Sequence, residues 1–445
     1  MPMSDTTPPA ASPGADAWQR ALRRLRQPAT IHQRCTAIAA HVSAGHSPHF
    51  TLEPGRLPAV AQRIGRLTQA RFPDLVIPYH SRWRHFEAGG VDRKGLLDDA
   101  LRTQALTGLR IATARARIDL TLISVLLDAG AGPQWRYSEA RSGQQFARSE
   151  GLAVASFDAF MAGRFSSSTE LPLQVDATGL LGLRAHDLAE IFQVSRSNPL
   201  VGLEGRVELL HRLGEALLAR PDLFTPIGRP GQLLHAFVGS DEADFVHPPA
   251  VRAAQILGLL LESFSAIWPS GQRFGPPDEH GHPALPLGDA WRHPAAVSAD
   301  DDVDTPDAGW VPFHKLSQWL SYSLLEPFEW AGLPVTGLDE LTGLPEYRNG
   351  GLLLDAGVIV PRDPAWAATP RTPADAWVIE WRALTVALLD ELAPLVRAEL
   401  GVTAAQLPLA CMLEGGSWAA GRQIAAERRL GGPPPVEILS DGTVF

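Results

Sequence analysis

The chain has 445 residues, 45% hydrophobic and 20% charged, enough for a sizeable core in one large domain or two to three ordinary ones. Its formal net charge of −10 disfavours a nucleic-acid polymer as the main partner, because phosphate binding needs clustered cations. Two distant cysteines, Cys35 and Cys411, exclude a disulfide framework and a cysteine-based zinc site, and the longest apolar runs (120–127 and 256–261) are too short for a bilayer. With no signal peptide visible, the expected location is cytoplasmic, with no membrane partner.

Residues 1–15 are rich in Pro, Ala and Ser and are expected to be disordered. Helical period begins at Trp18 and runs to about His41, with Arg20, Arg23, Arg24 and Arg26 on a solvated face. From 56 to 270, apolar residues recur at three and four. The spacing predicts helices over 96–109, 111–127, 152–161, 180–191, 203–218 and 249–267, with turns at Asn198-Pro199 and Arg229-Pro230-Gly231. Residues 269–311 change character to Gly, Pro, His and Asp and read as a long functional or disordered loop. Helical period returns at 313–325, 351–354 and 383–396, with short strands near 358–360 and 436–439. The predicted fold class is mainly α: a single large multi-helix fold over residues 16–445, with sub-lobes 16–268 and 312–445 joined by the loop.

Four segments carry polar chemistry on apolar ground. On a helix, Lys315, Gln318, Trp319 and Tyr322 share one face at i, i+3, i+4 and i+7, which suits a pocket wall with a point charge for phosphate and rings for stacking. Glu346-Tyr347-Arg348-Asn349-Gly350-Gly351 leads into an apolar run ending at Asp355. Asn349 is placed to cap a helix that Gly357 ends, and the helix N-terminus, Arg348 and glycine backbone favour an anion. Glu346 either pairs with Arg348 or stands beside a reaction centre that becomes positive. Glu380, among large apolar residues, needs a partner such as Arg382 or Arg348, or has a raised pKa. Asp128 ends an apolar helix where a Gly-rich loop begins, before Trp135 and Tyr137. It serves either a structural pair with Arg136 or Arg141 or a site.

His280, His282 and His293 with Asp278, Glu279 and Asp289 resemble a metal-ligand list, yet their spacing fits no zinc motif. A polar loop over a pocket is the preferred reading, and no metal or cofactor is expected. The stretch from Gly415 to Arg422 lacks the ending of a phosphate-binding loop. It reads as a place where a helix packs closely, with Arg422 as a phosphate or salt-bridge partner.

On the segments 78–87 (Pro-Tyr-His-Ser-Arg-Trp-Arg-His-Phe-Glu) and 310–358, and on the terminal Ser-Asp-Gly-Thr-Val-Phe, the chain resembles the fourth-protein family of the URC pathway of uracil catabolism. A more distant resemblance is to queuosine 5′-phosphate N-glycosidases, whose Tyr-Lys-Arg-Ala-Gln, Asp-Tyr-Arg-Val-Pro-Gln and Glu-Ile-Arg patterns follow one another in the order of Phe313–Gln318, Glu346–Gly351 and Glu380–Arg382. Glu stands here for Asp at 346, and Asn-Gly-Gly for Val-Pro-Gln. The resemblance implies a helical DNA-glycosylase-like fold and hydrolysis of an N-ribosyl bond. Its implied substrate is a small phosphorylated ribosyl compound, with ribosylurea 5′-phosphate the natural candidate, and other URC enzymes are the implied protein partners. The resemblance implies that Lys315 holds the 5′-phosphate and that Glu346 acts at the anomeric carbon. With the residues read above, the expected catalytic carboxylates are Glu346, Asp355 and Glu380, and the expected binding set is Lys315, His314, Gln318, Trp319, Tyr322, Tyr347, Arg348, Arg382, Asp128 and Trp135.

Overall fold

Pro28, with its φ already set for a first helical turn, separates two opening helices, α1 (Ala15–Leu25) and α2 (Pro28–Ser43). The computed structural model describes residues 14–104, 109–268, 273–276, 285–297 and 305–439. Of the expected disorder over residues 1–15, residues 1–13 lie outside these, as do the acidic run at 300–302 and the six terminal residues, while Ala15 begins α1. Along α2, Ile31, Cys35, Ile38 and Val42 form one buried stripe. There follow α3 (Leu57–Arg71), α4 (Arg82–Phe86), α5 (Arg93–Gln104), α6 (Leu109–Leu126), α7 (Arg148–Met161), α8 (Ala177–Gly182) and α9 (Ala185–Ile191). The rest are α10 (Leu203–Leu218), α11 (Pro221–Phe224), α12 (Ala253–Phe264), α13 (Lys315–Trp330), α14 (Tyr347–Asp355), α15 (Ala376–Leu400), α16 (Leu409–Met412) and α17 (Trp418–Arg428). The fold is mainly α, as the apolar periodicity predicts. None of the described helices is long and apolar enough to cross a membrane.

Strands are short: β1 (Phe50–Leu52), β2 (Tyr137–Ser138), β3 (Gln145–Phe146), β4 (Val251–Arg252), β5 (Ala290–Arg292), β6 (Trp310–Pro312), β7 (Val335–Thr336) and β8 (Ile359–Pro361). They pair only in twos, β1–β8, β2–β3 and β5–β6 antiparallel and β4–β7 parallel. The strand near 436–439 reduces to a bridge between Arg371 and Ile438. The helix expected over 180–191 is two. Asp176 caps α8 through the Gly179 amide at 2.8 Å, Leu183 is extended, and Asp187 takes the Arg184 amide at 2.9 Å to start α9. The long loop is not wholly irregular, since its described parts contain β5 and meet β6 in register Trp291 with Val311. This pairing sets Asp289 and His293 at its ends.

One hydrophobic cluster runs from Ile31 to Val436, with α15 packed on α2 and α3, α13 on α6 and α12, and α14 on α17. Gly421 on α17 makes the last contact possible, because a Cβ there would lie 2.3 Å from the Arg348 carbonyl oxygen. Gly350 does the same on the other side of α14, where a Cβ would meet the Trp381 ring at 2.7 Å. Both glycines serve close packing.

Candidate functional site

The five-residue helix α4 is held on all sides. The Arg82 amide donates to Ser323 Oγ of α13 at 2.9 Å, and Ser81 Oγ and Arg84 Nη2 donate to the two oxygens of Glu326, at 2.6 and 2.7 Å. Behind it, Arg93 pairs with Glu139 at 2.8 Å, both fully buried, and donates to the Phe86 and Ala88 carbonyls. The Arg82 side chain is wholly enclosed, with Nε on Ser124 Oγ at 2.7 Å and Nη1 on the Ser149 carbonyl at 3.1 Å. The Arg82 Nη1 atom also lies 2.9 Å from Asp128 Oδ1, an ion pair too poorly aligned to count as a hydrogen bond for that oxygen.

That network leaves a concentration of unpartnered polar atoms. Arg82 Nη2, Trp83 Nε1, Arg84 Nε and His85 Nδ1, on four consecutive residues, are buried without a hydrogen-bond partner, as is Trp319 Nε1 on α13. An unsatisfied buried donor costs about 1–3 kcal/mol, so four such atoms on consecutive residues mark a place where a ligand group or water would be well received. Three of these residues meet: the Arg82 guanidinium sits 5.7 Å from the centre of the Trp319 ring, and the His85 ring is edge-on to it at 5.8 Å. Burial first, then the Arg82 charge, pushes the His85 imidazole well below its ordinary range, so it is neutral.

Beside Trp319 on the same face of α13 is Lys315. It is half-buried along its length, yet its ammonium is closely surrounded. Burial lowers its pKa, against the pull of Glu346, Asp289 and Asp128. Glu346 begins α14, and its carboxylate accepts the Arg348 and Asn349 amides, both at 2.6 Å. The cap is therefore Glu346, where Asn349 was expected. Asn349 Oδ1 instead accepts from Ser417, and its amide nitrogen donates to the Leu344 carbonyl. The anion expected at this helix N-terminus is Glu346 itself. Burial raises its pKa, while these amides and then Lys315 hold it down. Tyr347, half-buried, has its phenol pushed up to about 12 by burial and the Glu346 charge.

The remaining expected site residues separate by role. Gln318 and Tyr322 turn from Lys315 and clasp Thr342, whose amide donates to Gln318 Oε1 at 2.9 Å and whose carbonyl accepts from Tyr322 at 2.8 Å. They fix the segment that delivers Glu346. His314, in the left-handed region at φ 46°, points to the Leu25 carbonyl, and burial takes its pKa down to about 4. Trp135 is fully buried, donates to the Phe192 carbonyl and packs in the core. Asp128 pairs with Arg82, not with Arg136 or Arg141. Arg206 steadies its loop by donating to the Leu127 and Ala129 carbonyls left over at the end of α6.

Glu380 pairs with neither Arg382 nor Arg348. It accepts from Ser47 Oγ at 2.5 Å and lies 3.2 Å from His293 Nε2. Burial raises its pKa but these partners outweigh it, leaving it below the usual range. Arg382 forms a fork with both oxygens of Asp289, at 2.7 and 2.6 Å. Arg348 reaches the Gly432 carbonyl and lies over Tyr347. Asp355, at the far end of α14 and about 13.5 Å of helix from Glu346, is forked onto Arg429 at 2.7 and 2.5 Å. One carbon centre cannot face both. Asp355→Asn is expected to leave turnover within about twofold while lowering stability by about 1 kcal/mol, the weakening of one partly exposed ion pair; activity assay beside urea denaturation checks this.

Among the described residues no group of three or more His, Cys, Asp or Glu side chains is placed to hold a metal ion. His280 and His282 lie outside the described residues; Asp289 is engaged by Arg382 and His293 by Glu380. The sequence reasoning assigned no role to Arg82 or His85. The only sequence signal was the alternation of Trp83 and Phe86 with the charged residues of the stretch 78–87.

His85 also lines a surface cleft of about 630 Å³ whose wall includes His80, Arg84, Trp418 and Arg422, a volume usual for small-molecule sites. Arg422 there pairs loosely with Glu150 at 3.7 Å and lies over Trp418. Fold and site together define a mainly helical chain with a surface cleft and, reaching it through Arg84 and His85, a cluster of buried, unpartnered polar atoms. The chain belongs to the family described as protein of unknown function (DUF1688), which matches residues 24–445. It is similar to Protein urg3 of Schizosaccharomyces pombe, 39% identical over 401 residues that cover 89% of this chain and 92% of that one. It is also similar to Uracil catabolism protein 4 of Lachancea kluyveri, 38% identical over 425 residues, 90% and 93% of the two chains.

Proposed function

We propose that the protein is an N-glycosidase of uracil catabolism, hydrolysing the N-ribosyl bond of a uracil-derived ribose 5-phosphate compound, with ribosylurea 5′-phosphate giving urea and ribose 5-phosphate. The observation that carries this reading is the buried Glu346 carboxylate fixed by two backbone amides at the start of α14, its pKa raised by burial with the Lys315 charge acting against that rise. A relative named for uracil catabolism, similar over nine-tenths of the chain, supports the pathway.

Breaking such a bond builds positive charge at C1′ and the ring oxygen. A carboxylate already fixed by two backbone amides needs no reorganisation to stabilise that charge or to take a proton from water. Lys315 supplies a point charge for the 5′-phosphate, whose binding remote from the reacting bond orients the sugar. Asp128, neutralised by Arg82, is the second carboxylate in reach of the same charges.

Incubating the purified protein with ribosylurea 5′-phosphate is expected to release urea, with UMP as comparison. No release from either, or from other nucleoside monophosphates, overturns the reading. The pH profile is expected to be a bell drawn in from both sides. Glu346 must be ionised, so the acid limb falls above the ordinary 4.5; Lys315 must be charged, so the alkaline limb falls below 10.5.

A further inference from the structure

We propose that Arg82, His85 and Trp319 form a recognition site for a neutral, carbonyl-bearing leaving group, a ureide or pyrimidine base carried on the ribosyl phosphate. The proposal rests on the N-glycosidase reading for the sugar-phosphate half of the ligand and adds what the protein binds at the other half.

Three observations carry it. Arg82 Nη2, Trp319 Nε1 and His85 Nδ1 are all enclosed and unpartnered, and the three side chains adjoin around the Trp319 ring. Arg82 is locked by Ser124, Ser149 and Asp128, so its one free N–H pair points in a fixed direction. The set carries no net charge, because Asp128 balances Arg82 and His85 is neutral.

That balance selects the ligand. A phosphate dianion placed against Arg82 would meet the Asp128 carboxylate as well, and like charges in so enclosed a place repel strongly. A carbonyl oxygen meets no such cost and accepts two hydrogen bonds from the guanidinium and the indole. In the proposed reaction the electron pair of the broken C1′–N bond passes into the leaving group and is shared with that oxygen. Water adds to C1′, and its proton ends on the leaving nitrogen. The donors therefore bind the leaving group more strongly as charge develops on it. Lys315 keeps the phosphate, and Trp319 divides the two halves of the substrate.

The test is isothermal titration in the Glu346→Gln background, where substrate is not consumed, using ribosylurea 5′-phosphate and ribose 5-phosphate as probes. Trp319→Phe keeps an aromatic six-membered ring and removes the N–H together with the five-membered half of the indole, so the ribose 5-phosphate probe serves as the control for packing. The variant is expected to weaken the ribosylurea compound about tenfold, the order of one hydrogen bond, while ribose 5-phosphate binds within about twofold of the parent. Arg82→Lys is expected to act in the same direction, and a folding defect in it is recognised by loss of both ligands. Equal losses for the two probes with Trp319→Phe, no loss for either, or a parent protein that binds neither overturn the proposal. Should the wild-type protein release no urea while the selective loss persists, the recognition site stands and the glycosidase reading falls. Urea release together with equal losses gives the reverse.

Discussion

Glu346→Gln is expected to lower kcat for urea release by about 10²–10⁴-fold, the usual loss when a positioned acid–base group is removed, while substrate affinity changes little. The same change is expected to cost only about 1 kcal/mol of stability. A glutamine oxygen still accepts one of the two amides, but the charge that met the helix N-terminus is gone. The two numbers separate the roles of this residue. A carboxylate that only caps α14 gives the small stability loss and nearly full turnover; one that also works on substrate gives both losses. Turnover within tenfold of wild type would pass the chemistry to Asp128; of the two other carboxylates whose charge reaches Lys315, Asp289 is forked onto Arg382 through both oxygens. Asp355 and Glu380 do not inherit it, being engaged by Arg429 and by Ser47 with His293.

Asp289→Ala is expected to destabilise the protein by about 3–5 kcal/mol, measured as the shift of the urea midpoint at unchanged slope. Both members of its pair with Arg382 are buried, and removing one leaves an uncompensated charge in the interior. The Trp291 indole and the Lys315 amide lose their acceptor at the same time. The pH dependence has a definite sign. Burial raises the Asp289 pKa, but Arg382 outweighs it, and the folded value lies below the ordinary 3.8. Its contribution is thus complete above the unfolded value and is lost as pH falls through the folded one. The gap between wild type and variant is expected to hold constant at neutral pH and to narrow only below about pH 4. A gap that narrows between pH 8 and 6 would show that another group carries it.

Much of the helical architecture was legible because burial imposes a period. The stretch 203–218 is one helix as predicted. Partnerships were not legible. Glu380 and Arg382 are two apart in sequence, which invited their pairing, but two residues apart on a helix means opposite sides. Each found its partner in the 269–311 segment, whose irregular composition hid a short antiparallel pairing. The cap of α14 was misplaced for a related reason. Asn is a common cap by statistics, but the chain enters this helix one turn earlier, where Glu346 has the extended backbone and the reach. Arg82 and His85 escaped notice because single charges in a short helix look like any solvated face until the packing around them is known.

The close approach of α17 to α14 has a bearing on how such a site is tuned. The seat of the helix that Glu346 begins depends on a residue on its far side: the hydrogen of Gly421 takes the place where any other side chain would press on the Arg348 carbonyl. A carbon atom added there moves the helix that carries the carboxylate as a unit, and displacements of about 1 Å suffice to cost about 10²-fold in rate. If Glu346 works as proposed, its alignment therefore has an adjustment point on the far side of α14, where sequence change moves the helix without altering a single group in the site.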